Sequence, residues 1–306
     1  MQGLVTKSTG SWYTVLSDDG TRYECRIKGK LRMKGLVSTN PVAVGDRVNF
    51  ELEPEQETAV ISKVHDRKNY IIRKSINLSK QIQIIAANLD MACLVVTLAS
   101  PRTSLGFIDR FLVTAEAYGV PAILIFNKLD LFNKEGLENL DNYFDLYQNI
   151  GYPCYAVSAI KGTNIETLEM VIKDKISLFS GHSGVGKSSL INRLIPGKEL
   201  RTGEISDWSD MGKHTTTFAE LFELPFGGKL IDTPGIRELG VADIEKHELG
   251  HFFPEMRAIM NECKFNNCVH INEPGCAVLQ ALENGDIEPT RYDSYQSIYF
   301  NNEIRN

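Results

Sequence analysis

Residues 181–188 read Gly-His-Ser-Gly-Val-Gly-Lys-Ser and follow the apolar stretch Ile176-Ser177-Leu178-Phe179-Ser180. They fit the pattern G-x-x-x-x-G-K-[ST], and the context predicts a strand, a phosphate-binding loop and a helix that begins near Ser188. Glycines let the backbone turn its N–H groups toward phosphate oxygens, Lys187 adds positive charge, and Ser188 offers a hydroxyl to Mg²⁺. The implied ligand is a nucleoside triphosphate with Mg²⁺. A glycine-rich turn with an incidental Lys-Ser pair is the alternative. The candidate phosphate-binding residues are Gly181, His182, Ser183, Gly184, Val185, Gly186, Lys187, Ser188 and Ser189.

A second motif lies upstream, where the apolar residues 120–126 precede Asn127-Lys128-Leu129-Asp130. This tetrapeptide resembles the N-K-x-D motif with which GTPases recognise guanine. The Asp130 carboxylate can accept hydrogen bonds from the N1–H and the exocyclic amine of guanine, whereas adenine would leave it desolvated without donors. Asn127 can bond the base edge or tie its loop to the phosphate loop, and the Lys128 stem can cover the ring face. Because any strand can end in such a polar turn, the tetrapeptide needs support from other motifs.

Two shorter motifs fit the same ligand. Ser158-Ala159 follows the apolar residues 155–157 and resembles the short loop that supports the guanine ring. Asp232-Thr233-Pro234-Gly235 resembles the D-x-x-G switch, in which Asp232 would hold Mg²⁺ through water and the Gly235 N–H would sense the γ-phosphate.

A polar stretch between the phosphate loop and Asp232 suits a mobile switch. It reads Gly212-Lys213-His214-Thr215-Thr216-Thr217. In such switches a threonine closes on Mg²⁺. We expect Thr216 to be the second protein ligand of Mg²⁺ beside Ser188, with Thr215 left open as an alternative.

The order of the motifs along the chain predicts a circularly permuted GTPase. In ordinary GTPases the phosphate loop comes first, whereas here Asn127 and Ser158 precede Gly181, which precedes Asp232. Permutation is tolerable because the termini of an α/β domain lie at the surface and can be rejoined. Because the Asp232 switch runs directly into the C-terminal segment, we hypothesise that the nucleotide state moves the residues after Gly240.

Length and composition indicate a soluble protein of several domains. The 306 residues can form two or three domains, and a hydrophobic content of 42% suffices for a substantial core. The sequence lacks a run of about eighteen apolar residues, and its first residues lack the basic-then-apolar pattern of a secretory signal. We therefore expect a cytoplasmic protein that does not bind a membrane.

The net charge of −6 argues against indiscriminate polyanion binding, but basic residues are concentrated in two segments. Residues 22–34 and residues 61–80 each contain six basic side chains and one acid. These segments predict a nucleic-acid-binding face, and a merely solvated strand face is the equal alternative. The basic residues are Arg22, Arg26, Lys28, Lys30, Arg32 and Lys34 in the first segment, and Lys63, Arg67, Lys68, Arg73, Lys74 and Lys80 in the second.

The six cysteines fall into two groups. Three of them lie singly in or beside apolar strand-like stretches and are interpreted as small core residues. These are Cys25, Cys93 and Cys154. The others form Cys263-x4-Cys268-x-His270-x5-Cys276, whose three thiolates and one imidazole fit one closed tetrahedral Zn²⁺ site. Disulfide pairing or coincidence is the alternative, which reduced cytosolic thiols disfavour.

Three regions follow from the hydrophobic pattern. Residues 1–67 alternate apolar and polar side chains between turn signals, which predicts a small antiparallel barrel, most commonly a nucleic-acid-binding OB-fold, although SH3-like barrels give similar patterns. Residues 68–239 alternate buried strands with amphipathic segments such as 107–118, which predicts a doubly wound α/β sheet with ligand at the carboxyl ends of its strands. Residues 240–306 become helical around the candidate zinc ligands, and the metal is expected to supply much of their stability.

The permuted motif order, the barrel, the phosphate loop and the cysteine and histidine cluster together resemble the RsgA family, also called YjeQ, of ribosome small subunit-dependent GTPases. The resemblance covers nearly the whole chain. It implies an OB-fold, a permuted GTPase domain and a zinc domain that engage the small ribosomal subunit during its late maturation. It also implies that ribosomal RNA is the partner of the basic barrel face and that the subunit stimulates hydrolysis of GTP to GDP and phosphate. We expect the chain to act as a monomer.

The resemblance leaves open which residue positions the hydrolytic water. Mg²⁺, Lys187 and the loop amides would stabilise the charge of γ-phosphoryl transfer. Ile236 stands where Ras-like proteins place a glutamine, so intrinsic turnover should be slow. We hypothesise that His214 orients the water, or accepts its proton, when the subunit orders the switch. A switch histidine that touches RNA or nothing is the alternative.

Two other functions remain open from the sequence. The first is an ATP-using P-loop kinase, which the residues from Asn127 to Asp130 argue against and which competition between ATP and GTP would separate. The second is an RNA-binding protein that uses GTP only as a structural ligand, which phosphate release with and without small subunits would separate.

Overall fold

The computed structural model describes residues 1–27, 41–54, 58–74, 82–198, 200, 219–233 and 244–300. Within these ranges the chain forms a barrel, a central α/β sheet and a helical C-terminal region. None of the helices in this part of the chain combines the length and the apolar composition that a membrane crossing requires.

A five-stranded barrel begins the chain. Its strands are β1 (Gln2–Ser8), β2 (Tyr13–Ser17), β3 (Arg22–Ile27), β4 (Arg47–Leu52) and β5 (Ala59–Val64). They are hydrogen-bonded in the order β1-β2-β3-β5-β4, and β4 pairs again with β1. Apolar side chains such as Val5, Val15 and Phe50 alternate with polar ones and fill the interior. The barrel therefore has the OB-fold that the sequence predicts.

One strand pair differs from the predicted antiparallel barrel. β3 and β5 run parallel, with Cys25 opposite Ala59. Neighbouring strands cannot alternate in direction all the way around a closed ring that has an odd number of strands. Closure with five strands therefore requires one parallel pair.

A separate two-stranded antiparallel sheet packs against the barrel, which the sequence analysis did not predict. It consists of β6 (Tyr70–Lys74) and β7 (Ile82–Ala87). Val44, in the segment before β4, forms a bridge with Ala86, and a Cβ on Gly45 would lie 2.1 Å from the Ala87 carbonyl oxygen. Gly45 also has a φ of +91°. Both the close approach to Ala87 and this left-handed backbone conformation therefore require glycine.

Six strands form the sheet of the α/β region. They are β8 (Met91–Val96), β9 (Ala122–Phe126), β10 (Cys154–Ala156), β11 (Ile176–Ser180), β12 (Glu220–Glu223) and β13 (Lys229–Asp232). The order is β10-β9-β8-β11-β13-β12, and only the β12–β13 pair among these neighbours is antiparallel. The predicted doubly wound sheet is therefore confirmed. Because the strand order reverses between β8 and β11, the loops that follow these two strands meet at the ligand-binding edge.

Four helices cover the two faces of this sheet. They are α1 (Leu105–Ala117), α2 (Lys134–Asn149), α3 (Ile165–Ile172) and α4 (Lys187–Leu194). Apolar residues of α1 and α2 pack on one face, and those of α3 and α4 pack on the other. The helix predicted over residues 107–118 is present and begins at Leu105, because the Ser104 hydroxyl caps it by accepting a hydrogen bond from the Phe107 N–H.

Strand β1 joins the barrel to this sheet. Lys7 of β1 lies opposite Glu220 of β12, and Glu220 lies opposite Asp232 of β13. An eleven-stranded sheet results, in which the barrel is hydrogen-bonded to the strand beside the predicted switch carboxylate.

The C-terminal region packs on α1. It contains the helices α5 (Pro254–Arg257), α6 (Ala277–Asn284) and α7 (Pro289–Tyr299). Its apolar core includes Phe253, Met256 and Tyr295, and Val113 of α1 belongs to the same cluster.

A buried ion network fixes this contact. The Arg291 guanidinium of α7 is 1% exposed and donates to Asp109 of α1 at 2.6 Å and to both carboxylate oxygens of Glu255 at 2.7 and 3.2 Å. Tyr147 of α2 donates its hydroxyl to the same Asp109 at 2.9 Å, and the Phe253 ring centroid lies 4.7 Å from the guanidinium carbon. Burial raises the pKa of Asp109 although the Arg291 charge opposes this shift. Without the arginine, two buried carboxylates would lose their counter-charge.

We predict that Arg291→Met raises hydrogen exchange throughout α7, because breaking a buried ion pair from one side costs roughly 3–5 kcal/mol. Native-state hydrogen exchange measures the opening free energy of this helix. Arg257→Met is the matched control, because Arg257 pairs with Glu116 at the surface at 2.9 Å and should contribute less than about 1 kcal/mol. Equal changes in the two variants would contradict the importance of the buried network.

Candidate functional site

The predicted phosphate loop lies between β11 and α4, at the switch point of the sheet. The strand and the helix that the sequence predicts on either side are both present, and α4 begins at Lys187. Gly186 has a φ of +86°, and a Cβ there would lie 2.4 Å from Asn127 Nδ2. A Cβ on Gly181 would lie 2.5 Å from the Val95 carbonyl oxygen. Close packing against β8 and against the loop of Asn127 therefore requires glycine at Gly181 and Gly186.

Asn127 joins the predicted base-recognition loop to the phosphate loop. Its side chain is buried, and Nδ2 donates to the Val185 carbonyl at 2.9 Å. Its Oδ1 accepts a hydrogen bond from the Ala159 N–H at 3.1 Å. One amide therefore connects three segments that are remote in sequence. The sequence allows Asn127 either to bond the base edge or to tie its loop to the phosphate loop, and the structure shows the second role.

Asp130 lies at the open side of this arrangement. Its carboxylate accepts a hydrogen bond from the buried Ser158 hydroxyl, whose oxygen also accepts from the Lys161 N–H at 3.0 Å. Asp130 itself is exposed, so a base edge can reach its carboxylate. The structure thus brings together the N-K-x-D residues and the Ser158-Ala159 loop.

Lys128 lies between the two halves of the site. Its backbone is left-handed, with a φ of +66°, and its Nζ donates to the Ser100 carbonyl at 2.5 Å. Its Cε lies 3.8 Å from the position that a Cβ on Gly186 would occupy. The end of the aliphatic stem therefore lies beside the phosphate loop.

Residues 97–104 form a further wall of the site that sequence reasoning missed. They follow β8 and reach the phosphate loop at two points: Pro101 lies beside Gly184, and the Thr103 hydroxyl oxygen lies 2.7 Å from His182 Nε2. The Ser100 carbonyl that accepts from Lys128 belongs to the same segment. The sequence predicts a strand followed by a helix here, but this local pattern does not reveal that β8 lies next to β11.

An ion pair connects the phosphate loop to the predicted switch. Lys187 Nζ contacts the Asp232 carboxylate, and the two side chains are only 12% and 8% exposed. Thr233 follows β13 and donates its hydroxyl to the Phe179 carbonyl at 3.1 Å. The lysine and the carboxylate expected on the Mg²⁺ side therefore face the same space.

Several predicted residues lie outside the described part of the chain. They are His214, Thr215, Thr216 and Gly235, together with Ile236. Ser188 and Ser189 occupy the first turn of α4.

The four predicted zinc ligands come together in the C-terminal region. The ligand atoms of Cys263, Cys268, His270 and Cys276 all lie within 4.8 Å of one another. His270 Nδ1 lies 3.6 Å from Cys263 Sγ and 3.4 Å from Cys276 Sγ, and the two sulfurs are 3.9 Å apart. Tetrahedral zinc bonds of about 2.3 Å to sulfur and 2.0 Å to nitrogen place ligand atoms about 3.5–3.8 Å apart. The donor set and its spacing therefore fit zinc.

Surrounding contacts hold the ligand loop in this shape. The Glu273 carboxylate accepts hydrogen bonds from the N–H groups of Val269, Ile271 and Asn272 at 2.9–3.0 Å. Tyr292 of α7 donates to the His270 carbonyl at 2.8 Å. Burial raises the pKa of the Cys268 thiol to about 12, a shift that a bound cation would reverse.

The basic barrel segments are partly balanced by acids. Arg26 of the first segment donates to both carboxylate oxygens of Glu53 at 2.6 and 3.2 Å, and Arg67 of the second donates to both carboxylate oxygens of Asp46 at 2.6 Å. Four basic residues of the first segment, and Lys80 of the second, lie outside the described residues; the four are Lys28, Lys30, Arg32 and Lys34.

These features define a circularly permuted P-loop GTPase with an OB-fold barrel and a Cys₃His cluster. Comparison with known families supports this class. The family described as RsgA GTPase matches residues 64–242, and the family described as RsgA N-terminal domain matches residues 2–61. The chain belongs to the RsgA family.

Named relatives and solved structures agree with this membership. The small ribosomal subunit biogenesis GTPase RsgA 2 of Bacteroides thetaiotaomicron is 55% identical over 96% of this chain and 95% of its own length. The corresponding RsgA of Flavobacterium psychrophilum is 53% identical over 97% of this chain and 92% of its own. The crystal structure of YjeQ from Thermotoga maritima aligns with a TM-score of 0.78 at 36% identity, covering 100% of this chain and 99% of that one. YloQ, described as a circularly permuted GTPase, aligns with a TM-score of 0.74 at 30% identity, covering 100% of this chain and 96% of its own.

We predict that Cys268→Ser loses bound zinc and increases hydrogen exchange in α6 and α7, because the metal contributes folding free energy to a region with a small core. Elemental analysis of the purified chain measures the metal. Cys25→Ala, which removes a thiol from the barrel core, should keep the metal content of the wild type. Zinc retained at the wild-type level in Cys268→Ser would refute the assignment.

Proposed function

We propose that this chain binds the small ribosomal subunit and hydrolyses GTP to GDP and phosphate during late maturation of that subunit, with hydrolysis stimulated by the subunit. The observation that carries the nucleotide assignment is the Asn127 amide, which bonds the phosphate loop through Val185 and the base loop through Ala159. The ribosomal assignment is supported by the names of relatives that match nearly the whole chain.

The base and the phosphates bind at different ends of this site. Asp130 reads the guanine edge, since its exposed carboxylate can accept the two N–H groups that adenine cannot offer there. Ser158 supports that carboxylate, and the Lys128 stem covers the ring. The phosphates lie over residues 181–189, where backbone N–H groups and the N-terminus of α4 favour anions.

Mg²⁺ binds beside the phosphates. Ser188 and Thr216 would serve as its protein ligands, and Asp232 would hold it through water. The bound ion would supply charge stabilisation to the phosphoryl oxygens. Lys187, which contacts Asp232, is long enough to place its ammonium group against the β- and γ-phosphates instead. The Gly235 N–H senses the γ-phosphate.

The hydrolytic water is positioned by His214 when the subunit orders the switch. This step is needed because the residue after Gly235 is the apolar Ile236, which cannot orient water. Intrinsic turnover is therefore slow, and binding of the subunit raises it.

The appended regions bind the ribosomal particle. Residues 1–67 form the barrel that contacts ribosomal RNA, residues 68–239 form the GTPase domain, and residues 240–306 form the domain that binds one structural Zn²⁺ through Cys263, Cys268, His270 and Cys276. The chain acts as a monomer in the cytoplasm, where its ribosomal partner assembles.

Release of phosphate from GTP with and without purified small subunits tests the proposal. We expect acceleration by the subunits. An equal rate in both conditions would instead favour an RNA-binding protein that uses GTP as a structural ligand.

Base recognition is tested by Asp130→Asn. The amide would offer a donor to the xanthine C2 carbonyl in place of an acceptor for the guanine amine, so affinity should shift from GTP toward xanthosine triphosphate by at least about tenfold. Competition binding measures the ratio of the two affinities. Asp141→Asn, on the exposed side of α2, makes the same chemical change away from the site and should leave the ratio unchanged. An unchanged ratio in Asp130→Asn would place the base elsewhere.

A further inference from the structure

Two carbonyl groups of the phosphate loop are held by side chains. The Val185 carbonyl accepts from Asn127 Nδ2 at 2.9 Å, and the Ser183 carbonyl lies 3.1 Å from His182 Nδ1. The first contact uses a motif residue of the base loop. The second uses a residue that the G-x-x-x-x-G-K-[ST] pattern leaves free, so the motif assigns it no role.

The two hydrogen-bond contacts of His182 together determine which of its ring nitrogens carries the proton. The Thr103 hydroxyl oxygen accepts from the Thr97 N–H at 3.1 Å and lies 2.7 Å from His182 Nε2. If the hydroxyl donates to Nε2, the neutral imidazole carries its proton on Nδ1 and donates it to the Ser183 carbonyl. This tautomer satisfies both contacts, whereas the other would set the Nδ1 lone pair against a carbonyl oxygen. The tautomer is thus assigned from the hydrogen-bond network.

The imidazole ring is also fixed by packing. Phe107 of α1 contacts it edge to face, with ring centroids 5.5 Å apart and an interplanar angle of 86°. Thr103 is 1% exposed and cannot move away from the ring without disrupting the buried turn that it forms with Thr97. His182 is therefore held in one orientation from two sides.

The consequence concerns the next amide along the loop. In a trans peptide the C=O and the following N–H point in opposite directions. Because the Ser183 carbonyl is hydrogen-bonded to His182, the Gly184 N–H of the same peptide points away from the imidazole. In the same way, the Val185 carbonyl is hydrogen-bonded to Asn127, so the Gly186 N–H points away from the Asn127 amide. Among the described residues, the Gly184 N–H finds no hydrogen-bond acceptor, so this donor remains available to a ligand.

We infer that His182 is a positioning residue that preorganises the Gly184 amide for the phosphates of the nucleotide, with Thr103 as the residue that holds the imidazole in place through Nε2. The inference rests on the nucleotide site proposed above. It assigns a role to residues 97–104, which bring Thr103 to the phosphate loop because β8 and β11 are neighbours.

A double-mutant cycle of His182→Ala and Thr103→Val, with GDP as the probe, tests this inference. Loss of one positioning hydrogen bond should weaken GDP binding roughly three- to tenfold in each single variant. The double variant should bind GDP no more weakly than His182→Ala, because Thr103 acts through the imidazole. Thr103→Ser keeps the hydroxyl and should restore GDP affinity. Guanosine has no phosphate and should bind all variants alike.

Two comparisons separate positioning from general destabilisation. Thr114→Val removes a buried hydroxyl from α1 that donates to the Arg110 carbonyl at 2.8 Å, and it should leave GDP affinity unchanged. Thr103→Val in the His182→Ala background should still lower the melting temperature, because the Thr97 N–H loses its acceptor, without a further change in GDP affinity.

Three results would overturn the inference. These are wild-type GDP affinity in His182→Ala, additive losses in the double variant, and an equal loss of guanosine binding. Failure of the function proposed above would appear separately, as absent stimulation of phosphate release by small subunits, and these binding measurements do not depend on that stimulation.

Discussion

The buried amide of Asn127 is the contact on which the rest of the site depends. Both of its polar atoms are used, one on the phosphate loop and one on the loop that supports the base. Loss of either partner would leave a buried polar group unsatisfied, which costs about 1–3 kcal/mol. The same contact explains Gly186, because any larger residue there would collide with the amide. The amide thereby holds the base loop and the phosphate loop at a fixed separation, which a ligand that carries both a base and phosphates requires.

Circular permutation leaves this arrangement intact because the site is made of loops at one edge of a sheet, and strand neighbours rather than chain order determine which loops meet. The permutation changes what is attached to the sheet. Strand β1 of the barrel pairs at Lys7 with β12, which neighbours the strand that carries Asp232. The C-terminal region is joined to α1 by the ion pair between Arg291 and Asp109. Helix α1 follows directly after residues 97–104, which contact the phosphate loop. Both appended regions thus contact elements that border the nucleotide site.

The sequence predicts those parts of the molecule whose chemistry is local. The phosphate loop and the Cys₃His cluster have fixed spacings that require particular residue types, and the structure brings each set together. Apart from the tie between Asn127 and the phosphate loop, which the sequence offered as one of two roles, contacts between distant segments were not readable. Residues 97–104 were missed because strand adjacency is a property of the whole sheet, and the parallel β3–β5 pair because closure of the barrel imposes it. The burial of Arg291 was missed because an arginine on a helix ordinarily indicates a solvated face. The roles of His214 and Thr216 stay predictions, since both lie outside the described residues.

The most direct test of the central claim is the affinity of Asn127→Asp for GDP. This substitution keeps the size of the side chain and the oxygen that accepts from Ala159, but it replaces the donor to the Val185 carbonyl with a second oxygen. We predict that titration calorimetry will show at least about tenfold weaker GDP binding, because two oxygens then oppose each other in a buried contact, while hydrogen exchange in β9 stays protected. Wild-type GDP affinity in this variant would contradict the account, since it would mean that the two loops are held together without the Asn127 amide.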